Sequence, residues 1–269
     1  MKIFNSLLEI EGAYKGFILD IFGVLHTSGV MYPNVLNALQ TLKARNKKVI
    51  LLSNAPRRAT FVKKYLSETV GIDSSLYDNI FTSGEIFALE MLKSDGKTVF
   101  YIGPEKDLPS LQNLNLKITT NIEDDFDFTV ITGASPEGFK ILPILQAKRK
   151  KMYCINPDIF IVKSNGEREE CAGFLAKEYE KLGGEVIYIG KPYKQVYDYT
   201  LDFFSNTFPE IKKNEILAVG DGIETDVSGA NKNGISSCLC LSGLPSLEAN
   251  LEDFITNSPY KPNFIIKAL

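Results

Sequence analysis

The stretch GFILDIF, residues 16–22, is nearly all apolar apart from Asp20. A short run with no polar alternation is what a strand buried on both faces requires, as in a parallel sheet covered by helices. A lone carboxylate at the end of such a strand stands out, because burial there needs a reason.

Working outward, a glycine-bearing, hairpin-like segment follows. Pro33 and Asn34 then introduce a helix in which Val35, Leu36, Leu39 and Leu42 share a face and Asn34 is the expected cap. KVILLS (48–53) reads as a second buried strand, and a basic helix is expected from Arg57 to Leu66. The middle of the chain repeats the pattern more loosely, with strand-like VFYIG (99–103), FTVIT (128–132) and MYCIN (152–156). Between them, the acidic segment Asn121–Asp127 reads as a solvated turn. Gly183-Gly184 reads as a hinge, after which EVIYIG (185–190), a helix from Pro192 to Phe204 and EILAVG (215–220) return to the first pattern. The fold class is therefore α/β. A core domain is expected from both ends of the chain, residues 1–94 and 184–269, with an α/β domain inserted at 95–183.

The 269 residues, 44% of them hydrophobic, suffice for a core domain plus an insertion. A formal charge of −3 and a sequence pI near 5.5 give no basic footprint, so nucleic acid is not an expected partner. No window approaches the roughly 20 apolar residues needed to cross a bilayer. Glu9 and Glu11 fall where a secretory leader needs an apolar block, so no membrane partner and a cytoplasmic location are expected. Cys154, Cys171, Cys238 and Cys240 have no metal-ligand spacing with the single histidine, His26, and buried free thiols are expected, Cys238 and Cys240 on one strand face. The sequence does not decide between monomer and homo-oligomer.

Four expected strand ends carry polar groups: Asp20, Ser53, Lys191 in Gly190-Lys191-Pro192, and Asp221 in GDGIETD (220–226). In an open parallel sheet, ligands bind beyond the carboxyl ends of the strands, so four such ends can converge on one crevice. There one carboxylate can serve as nucleophile and a second can help hold a divalent cation, while a hydroxyl and an ammonium hold an anion. A phosphoryl group with Mg²⁺ needs this set. Taken singly, each motif reads as an ordinary cap or strand-to-helix turn; their order and placement carry the argument.

The segments Asp20-Ile21-Phe22-Gly23-Val24-Leu25, Leu52-Ser53-Asn54, Gly190-Lys191-Pro192 and Gly220 to Asp226 resemble the four ordered motifs of the haloacid-dehalogenase superfamily. With Asn156-Pro157-Asp158, they are similar to its class IIA phosphatases, which carry a large α/β cap between the second and third motifs. The resemblance implies a Rossmann-like core, Mg²⁺ as cofactor and a small phosphorylated metabolite as substrate. It implies that Asp20 attacks phosphorus, that Ser53 binds a phosphoryl oxygen and that Lys191 offsets negative charge. It also implies that Asp20, the Phe22 carbonyl and Asp221 hold the metal, with Asp226 completing that set. Phe22, Gly23, Asn54, Asn156 and Asp158 are further candidates for contact with substrate or phosphate.

The sequence departs from this pattern at one position. Phosphatases of the family carry a second aspartate two residues after the nucleophile, which protonates the leaving oxygen and later activates water; here that residue is Phe22. His26 is a candidate replacement, though a flap histidine facing solvent or substrate is the plainer expectation. Arg57 and Arg58 reach substrate or face solvent. The expected activity is phosphate-ester hydrolysis through Asp20. The alternatives are a pseudoenzyme that binds a phosphorylated ligand and a hydrolase of a non-phosphate bond such as carbon–halogen.

Overall fold

The computed structural model describes residues 2–92, 96–163, 165–244 and 251–269. The chain forms two compact units, one of Met1–Ser53, Thr60–Phe81 and Lys191–Leu269, the other of Asn54–Ala59 and Thr82–Gly190.

The first unit is built on a seven-stranded sheet with spatial order Ile3–Ser6, Phe264–Ala268, Ser236–Cys240, Ile216–Gly220, Gly16–Leu19, Lys48–Ser53, Asn79–Thr82. The pairings from the first of these strands to Lys48–Ser53 are all parallel. All four residues of Gly16–Leu19 are buried, as the unbroken apolar run predicts. Phe17, Leu19, Ile50, Leu51 and Leu217 have no exposed surface, and each such side chain stabilises the fold by roughly 1.5–3 kcal/mol relative to an exposed one. The strand Gly16–Leu19 lies between Ile216–Gly220 and Lys48–Ser53, where the chain's winding changes direction across the sheet. A crevice opens at such a point, beyond the carboxyl ends of the strands.

The hairpin-like segment is a two-stranded antiparallel pair, His26–Thr27 with Val30–Met31. The helix Val35–Ala44 buries Val35, Ala38, Leu39 and Leu42, the spacing of one helical face. Leu36 was expected on that face but is 37% exposed, because it sits about 100° round the helix from Val35 and outside the stripe. Asn34 occupies the cap position in a left-handed conformation, φ 68°, and its side chain makes no capping bond. Asparagine tolerates that backbone, which accounts for its presence. The basic helix spans Ala59–Tyr65 and continues as a wider turn through Leu66–Val70.

The second unit has its own sheet, in the order Val186–Tyr188, Met152–Cys154, Phe128–Ile131, Thr98–Ile102, Lys117–Thr119, parallel throughout. Phe100, Ile131, Leu145 and Met152 from this unit cluster with Leu175 and Tyr179 of the helix Ala172–Lys181. Phe126, within the acidic segment, joins this core and stacks on Phe100 at 5.1 Å.

The units divide elsewhere than the sequence pattern suggests. The expected boundary at 94/95 lies outside the described residues; the contact division falls at 81/82, so the helix Ser83–Met91 belongs to the second unit. The strand Val186–Tyr188, expected in the first unit, pairs with Met152–Cys154 in the second, and the chain leaves that unit at Gly190, not near Gly183-Gly184. The parallel pairings that run through both sheets use the same alternation of strand and helix, so periodicity alone cannot assign a strand to one or the other. All four cysteines are buried free thiols. Among the described residues, no helix is long and apolar enough to cross a membrane.

Candidate active site

The register of the central strands sets the site. Leu19 lies opposite Leu51 on one side and Val219 on the other. Asp20 is therefore one residue, and Ser53 and Asp221 two residues, beyond the same rung of the sheet. The Asp20 amide is fixed by a bond to the Val219 carbonyl, 2.9 Å.

Beyond Asp20 the chain folds back at once: Leu25 N–H donates to the Ile21 carbonyl and Gly23 N–H to the His26 carbonyl, each at 2.9 Å. Gly23 has φ 84°, and a Cβ there would come within 1.9 Å of an Asp221 carboxylate oxygen. Only glycine permits both that backbone and that approach. The Asp221 carboxylate thus lies directly against the turn carrying Phe22 and Gly23.

Lys191 joins the cluster from the start of the last segment of the first unit. Its Nζ lies 2.6 Å from Asp20 Oδ1 and 2.8 Å from Asp226 Oδ1, and all three residues are less than 9% exposed. Asp226 also accepts from the Gly222 amide (3.2 Å) and the Thr225 hydroxyl (3.1 Å). Its neighbours Ile223 and Val227 anchor the segment in an apolar cluster with Leu239, Leu241 and Ile265. Burial pushes the Asp20 carboxyl up to about 7, against the pull of the Lys191 charge. Burial opposes the Lys191 charge as well, but Asp20 and Asp226 outweigh it and hold the ammonium above the ordinary lysine range.

Carboxylate oxygens of Asp20, Asp221 and Asp226 lie within 4.8 Å of one another. One ammonium against three carboxylates leaves a surplus of negative charge, and hard oxygen donors grouped this closely suit Mg²⁺ or another hard divalent cation. The residues therefore fit the implied metal.

Of the other candidates, Ser53 is 8% exposed at the end of its strand. Phe22 is half-buried and meets His26 edge to face, ring centroids 6.0 Å apart. His26 does not face solvent: it is 5% exposed, lies 5.6 Å from the Tyr65 ring, and its Nδ1 has no hydrogen-bond partner. Burial pushes its imidazole down to about 4, so it is neutral at ordinary pH and cannot act there as a ready proton donor. Asn54, Asn156 and Asp158 lie in the second unit, where the Asn54 side-chain amide donates to Asp158 Oδ1 at 2.7 Å. Arg57 and Arg58 are both paired, Arg57 with Asp107 (3.0 Å) and Arg58 through two bonds with Glu85 (2.8 and 3.0 Å).

Sequence reasoning missed Ser242 and Gly243. The Ser242 hydroxyl donates to the Gly23 carbonyl at 2.9 Å, and a Cβ on Gly243 would fall 2.1 Å from Asp221 Oδ2. Together they back the turn that faces Asp221. The signal was a polar Ser-Gly pair straight after the apolar run ending at Leu241, the same signature that marked the other strand ends.

Two family profiles match the chain. That described as haloacid dehalogenase-like hydrolase covers residues 17–117, and that described as HAD-hydrolase-like covers 188–269. The chain belongs to the haloacid dehalogenase-like hydrolases. Within them it falls in the class IIA branch, alongside proteins named as a ribonucleotide monophosphatase and a 4-nitrophenylphosphatase. It is similar to the ribonucleotide monophosphatase NagD of Escherichia coli K12, 24% identical over 93% of this chain and 95% of that protein. A haloacid dehalogenase-like hydrolase of Brucella suis 1330 superposes with a TM-score of 0.86 at 26% identity, covering 98% of this chain and 99% of the other. A possible sugar phosphatase of Cytophaga hutchinsonii gives 0.85 at 26% identity, over 100% and 98%.

Proposed function

We propose that the chain is a Mg²⁺-dependent phosphatase of a small phosphorylated metabolite, working through an aspartyl-phosphate on Asp20 and lacking the usual aspartate general acid. The observation that carries this reading is the Lys191 ammonium seated between Asp20 and Asp226 with Asp221 alongside, at the carboxyl ends of the central strands. The phosphatase relatives support it. The first unit is read as the catalytic core and the second as the inserted cap.

Asp20, the Phe22 carbonyl and Asp221 would hold the cation, with Asp226 completing the set. Bound there, Mg²⁺ would offset charge on the phosphoryl oxygens. Lys191 keeps its proton and compensates negative charge on Asp20 and the phosphoryl group, while the Ser53 hydroxyl donates to a phosphoryl oxygen. An Asp20 oxygen bonds to phosphorus as the ester oxygen departs with the bonding electrons. Water then attacks the aspartyl-phosphate, releasing inorganic phosphate and regenerating the carboxylate.

Neither Phe22 nor neutral His26 supplies a proton to the departing oxygen. General acid catalysis contributes roughly 10²–10⁴-fold, so leaving groups that depart as stable anions are favoured. The same gap motivates a second reading, a protein that binds phosphate esters and turns them over scarcely at all.

Release of phosphate from acyl, aryl, nucleotide and sugar phosphates, measured with Mg²⁺ and with chelator, tests the proposal. Mg²⁺-dependent release that chelator stops is the expected result. Binding without release would favour the second reading, and full activity in metal-free buffer would exclude the Mg²⁺ mechanism.

A further inference from the structure

Asn54 and Gly190 are the residues at which the chain enters the second unit after Ser53 and leaves it before Lys191. Both meet the same loop, Asn156-Pro157-Asp158. Asp158 Oδ1 accepts the bond from the Asn54 amide, and Asn54 is only 4% exposed. A Cβ on Gly190 would lie 2.5 Å from Pro157 Cδ and 2.7 Å from Asn54 Oδ1. Gly190, at φ 147°, thus has no room for a side chain because Pro157 and Asn54 already fill that space.

The loop is itself held. It leaves the end of the strand Met152–Cys154, and Gly173 N–H, in the first turn of the helix Ala172–Lys181, donates to the carbonyls of Asn156 (2.9 Å) and Asp158 (3.1 Å). The Cys154 thiol donates to the Asn156 carbonyl at 3.4 Å. An acceptor bearing full charge strengthens the bond to Asn54, and a loop tied to a helix and a strand gives that bond a fixed base.

We propose that Asp158 and Pro157 are positioning residues: from one loop they brace the two chain segments that present Ser53 and Lys191 to the phosphoryl group. This rests on the phosphatase reading above. Asp158 then acts through Asn54 on Ser53, and Pro157 through Gly190 on Lys191, without touching substrate. Displacing a binding group by even 1 Å costs about 100-fold in favourable cases, so the brace matters at the level of turnover.

The test uses the full chain with Asp158→Ala and Asp158→Asn, the latter keeping an oxygen to accept from Asn54. Binding of inorganic phosphate is measured by calorimetry in Mg²⁺ buffer, and kcat and KM are measured on p-nitrophenyl phosphate and glycerol phosphate. For D158A the expectation is phosphate binding weakened by about tenfold or more, with kcat/KM lowered by the same factor on both esters. D158N should recover most of the loss. A loss confined to KM for one ester, with phosphate binding intact, would make Asp158 a substrate contact and overturn the proposal. So would D158A behaving like wild type, or D158N being as impaired as D158A. Should D158A fail to fold, Asn54→Ala removes the same bond from the other end and must give the same equal loss on both esters. Wild-type protein that neither binds phosphate nor hydrolyses either ester would refute the phosphatase reading itself, a distinct outcome.

Discussion

Replacing Phe22 with aspartate should convert the leaving-group preference of this protein. The half-buried Phe22 ring meets His26 edge to face at 6.0 Å, a pairing whose loss costs about 0.5–1.5 kcal/mol. Loss of its buried area adds about another 1 kcal/mol, which a stable domain tolerates. The backbone carbonyl at position 22 is retained. What the substitution adds is a carboxyl group two residues beyond Asp20, able to protonate a departing oxygen and later to take a proton from water. A well-placed general acid is worth roughly 10²–10⁴-fold, or about 3–5 kcal/mol of barrier. Wild type should therefore cleave p-nitrophenyl phosphate far faster than glycerol phosphate, with a burst of nitrophenolate before a slower steady rate, since hydrolysis of the aspartyl-phosphate also lacks its base. In Phe22→Asp, kcat/KM for glycerol phosphate should rise by up to that factor, the aryl ester should change little, and the burst should shrink. A folded Phe22→Asp protein with an unchanged ratio of alkyl to aryl rates would refute the reasoning, as would a wild type equally fast on both esters without a burst.

Two further predictions concern the buried titratable groups. Lys191→Met leaves Asp20 and Asp226 facing each other without their ammonium, so unfolding in metal-free buffer should show a loss of roughly 3–5 kcal/mol, and a loss below about 1 kcal/mol would contradict the pairing. For His26, the folded pKa of about 4 lies below the ordinary 6.5, so the unfolded chain binds the extra proton in this window. Stability is fully present above pH 6.5 and falls by about 3 kcal/mol as pH drops towards 4. Asp20, raised to about 7, runs in the opposite direction, so wild type should be compared with His26→Phe at each pH, where the Asp20 contribution cancels. Parallel stability curves for the two proteins would show that His26 is not buried in its neutral form.

Much of the fold was legible because buried strands write themselves as unbroken apolar runs; the first four residues of GFILDIF, Gly16–Leu19, and all of KVILLS are strands of the central sheet, the first ending just before Asp20 rather than running on to Phe22. The polar residues ending those runs converge for the same reason, since neighbouring parallel strands end at one edge of the sheet. What sequence could not resolve were features that depend on which strand pairs with which. Val186–Tyr188 has the same local pattern whether it joins one sheet or the other, and only its partner Met152–Cys154 decides. The burial of His26, against the expectation that it faces solvent, had no local signal, since one ring packed on it, Tyr65, lies 39 residues further along the chain. The Asn54–Asp158 bond spans 104 residues and leaves no local trace.

The account turns on Asp20 as the nucleophile, and the most direct test is to quench the protein during turnover of p-nitrophenyl phosphate and map the phosphorylated peptide by mass spectrometry. The phosphoryl group should appear on the peptide containing Asp20 in wild type, and Asp20→Asn should fold, carry no phosphoryl group and release no phosphate. Turnover by Asp20→Asn, or a phosphoryl group on any other residue, would contradict the account.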